Sequence, residues 1–130
     1  VPGTRRIRIL IVDDTAMVRV VVRRVLESDG RFEVVGESTN GHEAIDHSQS
    51  LQPDLVLLDL AMPEMDGLEA LPHIHRVSPD ANVIVLSSFS PDQMGEVAIS
   101  NGALSYIEKN RLALELVPKI LAAVGALLDA

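Results

Sequence analysis

The chain has 130 residues, 47% of them hydrophobic and 23% charged, which is enough to bury one core and too apolar for a disordered segment. A net charge of −8 argues against direct nucleic-acid binding by this chain, and no apolar run reaches the roughly 18–20 residues that a membrane span needs. Cysteine is absent, which excludes thiolate chemistry and disulfides and fits a cytoplasmic setting; no signal peptide is visible, and a start at Val1 rather than Met is expected of a processed or cut terminus.

The hydrophobic period changes repeatedly along the chain. Ile7–Val12 is a short apolar run rich in β-branched residues, predicting a buried strand. Residues 15–28 predict a helix with Met17, Val18, Val21, Val22, Val25 and Leu26 on one stripe, and Asp29-Gly30 stops it. Residues 32–37 predict a second strand, and residues 40–51 a weaker helix carried by Ala44, Ile45, Ser48 and Leu51. Leu55–Leu58 is apolar throughout, as expected of a strand covered on both faces. A third helix opens at Asp66-Gly67-Leu68-Glu69, with Asp66 as cap, Glu69 at the capping-box position and a local kink expected at Pro72.

Residues 83–86 predict the fourth strand. Ser90-Pro91-Asp92-Gln93 starts a helix that Asn101-Gly102 ends, and residues 104–107 predict the fifth strand. The last helix carries Leu116, Val117, Ile120, Leu121, Val124, Leu127 and Leu128, with Pro118 expected to delay its start or bend it. Five βα alternations predict a single α/β domain over residues 1–130, a doubly wound parallel sheet with helices on both faces.

In such sheets ligands bind beyond the carboxyl ends of the strands. The first predicted strand ends in Asp13-Asp14, the third in Asp59, the fourth in Ser87-Ser88 and the fifth in Lys109. Three carboxylates in one cleft repel each other by on the order of a few kcal/mol per pair, so a counter-charge is required. Lys109 supplies one positive charge. A hard cation with open water positions, such as Mg²⁺, would supply more. A metal and a lysine beside a carboxylate nucleophile make an arrangement for phosphoryl transfer.

Val12-Asp13-Asp14, the run Leu58-Asp59-Leu60-Ala61-Met62-Pro63-Glu64-Met65-Asp66-Gly67, Leu86-Ser87-Ser88 and Tyr106-Ile107-Glu108-Lys109 resemble the receiver domain of two-component response regulators, the CheY-like domain. The resemblance covers essentially the whole chain. It implies a flavodoxin-like (βα)5 fold with strand order 2-1-3-4-5. It implies Asp59 as phosphoacceptor, and a Mg²⁺ ion held by Asp14, Asp59, the Ala61 backbone carbonyl and, through water, Asp13. Ser87 and Lys109 would contact phosphoryl oxygens, and Tyr106 would turn inward as Ser87 moves. A histidine kinase or phosphotransfer protein would donate the phosphoryl group. A downstream protein or output domain would read the face formed by the fourth helix, fifth strand and fifth helix. The only catalysis implied is the chain's own phosphoryl transfer and slow autodephosphorylation. Phe89 and Ala61, each two residues beyond a site residue, imply that slowness, because neither orients an attacking water.

Asn110 stands where many receivers have proline, so the Lys109-Asn110 bond is either trans with a rearranged loop or a strained cis bond. That departure, with Glu37-Ser38, Gly41 and Ser87-Ser88, leans to the NarL/LuxR-type branch, whose members usually carry a DNA-binding domain. The chain shows no such domain, which implies a stand-alone or excised receiver.

The alternative is a phosphorylation-independent protein-binding module on the same fold. A haloacid-dehalogenase-type phosphatase would need an aspartate where Thr15 stands, and neither a G-x-G-x-x-G nor a G-x-x-x-x-G-K-[ST] nucleotide motif is present. His42, His47, His73 and His75 are expected at the surface. Glu43, Asp46 and the first-helix arginines are expected on solvated faces, although that first helix would also suit kinase docking.

Overall fold

The computed structural model describes residues 5–129; Val1 and both extremes of the expected 1–130 span lie outside the described residues. Strands β1 (Ile7–Val12), β2 (Phe32–Ser38), β3 (Leu55–Leu58), β4 (Asn82–Ser87) and β5 (Ser105–Glu108) alternate with helices α1 (Ala16–Glu27), α2 (Gly41–Leu51), α3 (Gly67–Val77), α4 (Pro91–Ser100) and α5 (Leu112–Val124). All pairings are parallel and the strand order is β2-β1-β3-β4-β5. Fold class and strand order agree with the expectation.

The central strands are apolar at every position because each face is covered. Ile7, Ile9 and Ile11 of β1 pack with Leu55, Leu57, Ile84, Leu86 and Ile107 against α1 and α5. Leu10 and Val12 pack with Val56, Leu58, Val83, Val85 and Tyr106 against the helices of the other face. At about 1.5–3 kcal/mol per buried aliphatic side chain, these two layers outweigh the exposed ion pairs as a source of stability.

Helix starts follow their local chemistry. Asp66 Oδ1 accepts from Glu69 N at 2.9 Å, and the Glu69 carboxylate accepts from Asp66 N, closing the expected box at α3. At α4, Ser90 N donates to Gln93 Oε1 at 3.0 Å and Pro91 is the first helical residue. At α2, Asn40 Oδ1 accepts from Glu43 N at 2.9 Å.

Several expectations need correction. Val22 and Leu26 are buried in α1, but Met17 and Val21 are exposed. They line an outer groove with Lys109, Asn110 and Leu112 instead of packing inward. Helix α5 starts at Leu112, six positions ahead of Pro118, because Leu112 and Leu116 already bury against the sheet. It ends at Val124, so Leu127 and Leu128 join the core from a following 3-10 turn, Gly125–Asp129. Helix α3 spans Gly67–Val77 with Pro72 inside it, so the proline does not end the helix.

His47, His73 and His75 are half-buried rather than surface residues. His47 Nδ1 lies 2.7 Å from Ser38 Oγ, and His75 Nε2 lies 3.1 Å from the Gly102 carbonyl. Glu43 is also engaged rather than merely solvated: its Oε1 accepts from Thr39 N at 2.7 Å.

Gly67 sets how closely α3 approaches the end of β3. Its N–H donates to the Leu60 carbonyl at 2.9 Å, and a Cβ there would fall 2.1 Å from the Asp59 carbonyl oxygen. A backbone atom cannot yield as a flexible side chain does. Gly67→Ala is expected to cost on the order of 1–3 kcal/mol in urea unfolding, and a stability equal to that of the parent would contradict this packing.

Candidate functional site

The strand register carries the site. Val12 and Leu58 are partners at the ends of β1 and β3, so the next residues, Asp13 and Asp59, leave the sheet side by side. Asp59 N donates to the Val12 carbonyl at 2.9 Å and Asp13 N to the Ser38 carbonyl at 3.0 Å. Ser87 is the last residue of β4, paired with Glu108, and Lys109 follows directly from β5. Lys109 opens a 3-10 turn, Lys109–Arg111, that leads into α5. No cis peptide bond occurs among the described residues, so the Lys109-Asn110 bond is trans.

These strand ends meet. Carboxylate oxygens of Asp13, Asp14 and Asp59 lie within 4.8 Å of one another. Asp13 and Asp59 are buried, whereas Asp14 is exposed at the mouth. Lys109 Nζ reaches Asp13 Oδ2 at 2.8 Å and Asp59 Oδ2 at 3.4 Å. Asp59 Oδ1 accepts from Ala61 N at 3.3 Å. Asp13 Oδ1 accepts from Thr15 N at 2.8 Å, while buried Asp13 Oδ2 has the charge of Lys109 beside it but no well-aligned hydrogen-bond donor.

Ser87 is fully buried, and its Oγ accepts from Phe89 N at 3.1 Å. Tyr106 lies inward, 6% exposed, and its hydroxyl donates to the Phe89 carbonyl at 2.8 Å. The two residues therefore grip the same loop between β4 and α4. Beside the carboxylates opens a cleft of about 610 Å³ whose lining includes Asp14, Ala61, Met62, Asp66, Phe89 and Met94.

The electrostatics follow from burial. Asp59 is pushed up to about 6, first by desolvation and then by neighbouring Asp13, with Lys109 and the Ala61 N–H opposing. Burial acts to lower Lys109, but Asp13 and Asp59 outweigh it and hold the ammonium above its ordinary range. The site is thus acidic on balance, with one cation shared between two buried carboxylates. The all-oxygen donor set, the exposed third carboxylate and the poorly satisfied Asp13 Oδ2 fit a hard divalent cation.

One contributor to this region was not foreseen. Arg19 belongs to the helix arginines expected on a solvated face, yet its Nη1 donates to the Asp13 carbonyl at 2.7 Å and its Nε to Glu37 Oε1 at 2.9 Å. No motif marks such a bond, because it joins a side chain to a main-chain atom. The only available hint was an arginine one turn into the helix that follows an acidic pair.

Residues 9–121 match the family model described as the response regulator receiver domain. Chemotaxis protein CheY of Thermotoga maritima is 41% identical over 102 residues, 78% of this chain and 84% of that protein. Transcriptional regulatory protein LiaR of Bacillus subtilis is 42% identical over 117 residues, 90% of this chain but 56% of that protein. Among solved structures, the signal receiver domain of NarL from Mycobacterium tuberculosis superposes with a TM-score of 0.86 at 27% identity, covering 93% of this chain and 98% of that one.

Ionised Asp59 is the costly form, since its folded value of about 6 lies above the ordinary carboxylate range near 4. Its contribution to stability is therefore complete below about pH 4 and is lost as pH rises through about 6. In metal-free buffer, Asp59→Asn is expected to melt a few degrees above the parent at pH 7.5, with the gap closing toward pH 4. A gap independent of pH would contradict the assigned cause.

Proposed function

Because this chain belongs to the receiver domain family of two-component response regulators, with relatives in both the CheY and the NarL/LuxR-type branches, we propose that it receives a phosphoryl group on Asp59 and changes its partner-binding surface in response. The observation that carries this reading is the convergence of Asp59, Asp13, Asp14 and Lys109 at one sheet edge, with Asp59 buried and its charge incompletely offset.

An Asp59 carboxylate oxygen attacks phosphorus, and the bond from phosphorus to the donor nitrogen or oxygen breaks in line as the leaving group departs. With a histidine kinase or phosphotransfer protein as donor, the leaving group is its imidazole. Bound Mg²⁺ would neutralise phosphoryl oxygens; Asp14, Asp59 and the Ala61 carbonyl would hold it, with Asp13 acting through water. Lys109, already between Asp13 and Asp59, pairs with a second phosphoryl oxygen, so its charge passes from carboxylate to phosphate without leaving the site. Ser87 Oγ, turned from Phe89 N toward the phosphoryl group, donates to a third oxygen.

Transmission runs through the loop that Ser87 and Tyr106 share. If Ser87 releases Phe89 N, the carbonyl of Phe89 still holds the Tyr106 hydroxyl, so movement at phosphate and the position of Tyr106 are mechanically linked. The reading surface is α4-β5-α5, where exposed Val97, Ile99 and Leu104 supply apolar contact area for a downstream protein or output domain. The setting is the cytoplasm. Among the described residues no helix is long and apolar enough to cross a membrane.

Incubation with phosphoramidate and Mg²⁺ is expected to add about +80 Da, the mass of one phosphoryl group, to the intact protein. The adduct is expected to vanish in Asp59→Asn and to be much reduced in Lys109→Ala. No adduct with any small donor would instead favour the phosphorylation-independent binding module. The adduct should also persist for minutes or longer without a phosphatase. Phe89 and Ala61 line the cleft beside Asp14, and neither side chain hydrogen-bonds water. Ala61→Asn, which adds an amide able to orient water, is expected to shorten the lifetime, whereas decay of the parent within seconds would contradict this role.

A further inference from the structure

The Asp14 carboxylate has no hydrogen bond or ion pair among the described residues, and it is exposed. Its direction must therefore come from the main chain that carries it. The peptide joining Asp13 to Asp14 is held through its carbonyl, which accepts from Arg19 Nη1 at 2.7 Å. The flanking amides are held as well, Asp13 N by the Ser38 carbonyl and Thr15 N by Asp13 Oδ1. Among the described residues, Arg19 is thus the one side chain from outside the turn that fixes the peptide on which Asp14 rides.

Arg19 is itself clamped. Its Nε donates to Glu37 Oε1 at 2.9 Å, and the other oxygen of Glu37 accepts from Arg23 Nε at 2.8 Å. Glu37 lies on β2, beside Ile11 of β1 in the register. Strand β2, helix α1 and the Asp13-Asp14 turn are therefore joined by one guanidinium donating to two acceptors. A planar fork does this with little loss of freedom, whereas a lysine amine is a single point on a flexible stem.

We infer that Arg19 is a positioning residue for the divalent-cation site, setting the direction of Asp14 through the Asp13 carbonyl, with Glu37 holding Arg19 in place. The inference rests on the proposed receiver function, because it supposes that Asp14 binds the cation. Electrostatics alone gives the opposite sign. Arg19 is a positive charge near the cluster, so removing it would tighten cation binding if charge were its only effect. Removing the geometric restraint weakens binding.

Mg²⁺ affinity is read from the Mg²⁺-dependent rise in melting temperature and from amide shifts, and phosphoramidate labelling is followed at varied Mg²⁺. Loss of a partner that orients a metal ligand typically costs 10–100-fold in affinity. Arg19→Gln and Arg19→Lys are each expected to bind Mg²⁺ about tenfold more weakly and to need about tenfold more Mg²⁺ for half-maximal labelling. Saturating Mg²⁺ should restore the maximal rate to near that of the parent, which a generally misfolded variant would not show. Arg24→Gln, at an exposed position of the same helix, serves as the charge control and should match the parent. Should Arg19→Gln not fold, Arg19→Lys and Glu37→Gln carry the same comparison. Mg²⁺ binding by the Arg19 variants that equals or exceeds that of the parent overturns the inference. Absence of saturable Mg²⁺ binding by the parent overturns the receiver reading instead.

Discussion

Everything at the carboxyl edge of the sheet turns on two buried carboxylates, Asp13 and Asp59, with one ammonium between them. The pair cannot be relieved by solvent, because both are buried. It cannot be fully relieved by Lys109 either, since one positive charge faces two negative ones at 2.8 and 3.4 Å. Burial first, and the neighbouring Asp13 second, push the Asp59 carboxyl up to about 6. A site in that condition gains free energy from any arriving positive charge, and it keeps a nucleophilic oxygen that is poorly solvated. Both properties suit capture of a phosphoryl group in the company of a divalent cation.

The rest of the fold exists, in physical terms, to hold that imbalance in place. Two aliphatic layers fix five parallel strands so that four of them deliver a side chain at or just past their carboxyl end to one edge. Close approach of α3 at Gly67 locks the turn that follows Asp59. Because the layers are rigid, a change at the edge is absorbed by what is less constrained. The loop between β4 and α4 is tied through Phe89 to both Ser87 and Tyr106. In the proposed function, phosphoryl chemistry and partner recognition are thus separated in space but share one loop.

Much of this was legible in the sequence because it depends on local pattern. The all-apolar run Leu55–Leu58 signalled a strand covered on both faces, and Asp66 with Glu69 signalled a helix start through a box closed within four residues. The strand-end positions of Asp13, Asp59, Ser87 and Lys109 followed once the strands were placed. Features that join distant segments were not legible. Met17 and Val21 fit the apolar stripe of α1 by period, yet they are exposed along an open groove beside Lys109, Asn110 and Leu112, and period alone does not say which edge of a stripe the sheet covers. Pro118 suggested a late start or a bend for α5; the start is not late, because the pull of buried Leu112 and Leu116 outweighs one missing backbone donor. Arg19 was hidden for a different reason: its partner is a main-chain carbonyl, which no residue type advertises.

The proposed chemistry is local, with the phosphoryl group on the carboxylate of residue 59 and nowhere else. Borohydride reduction of the freshly labelled protein converts an aspartyl phosphate to homoserine, and peptide mass spectrometry then locates it. The expected result is homoserine at position 59 alone, dependent on both Mg²⁺ and the phosphodonor. Homoserine at Asp13 or Asp14, or none in a protein that carries the adduct, would contradict the account.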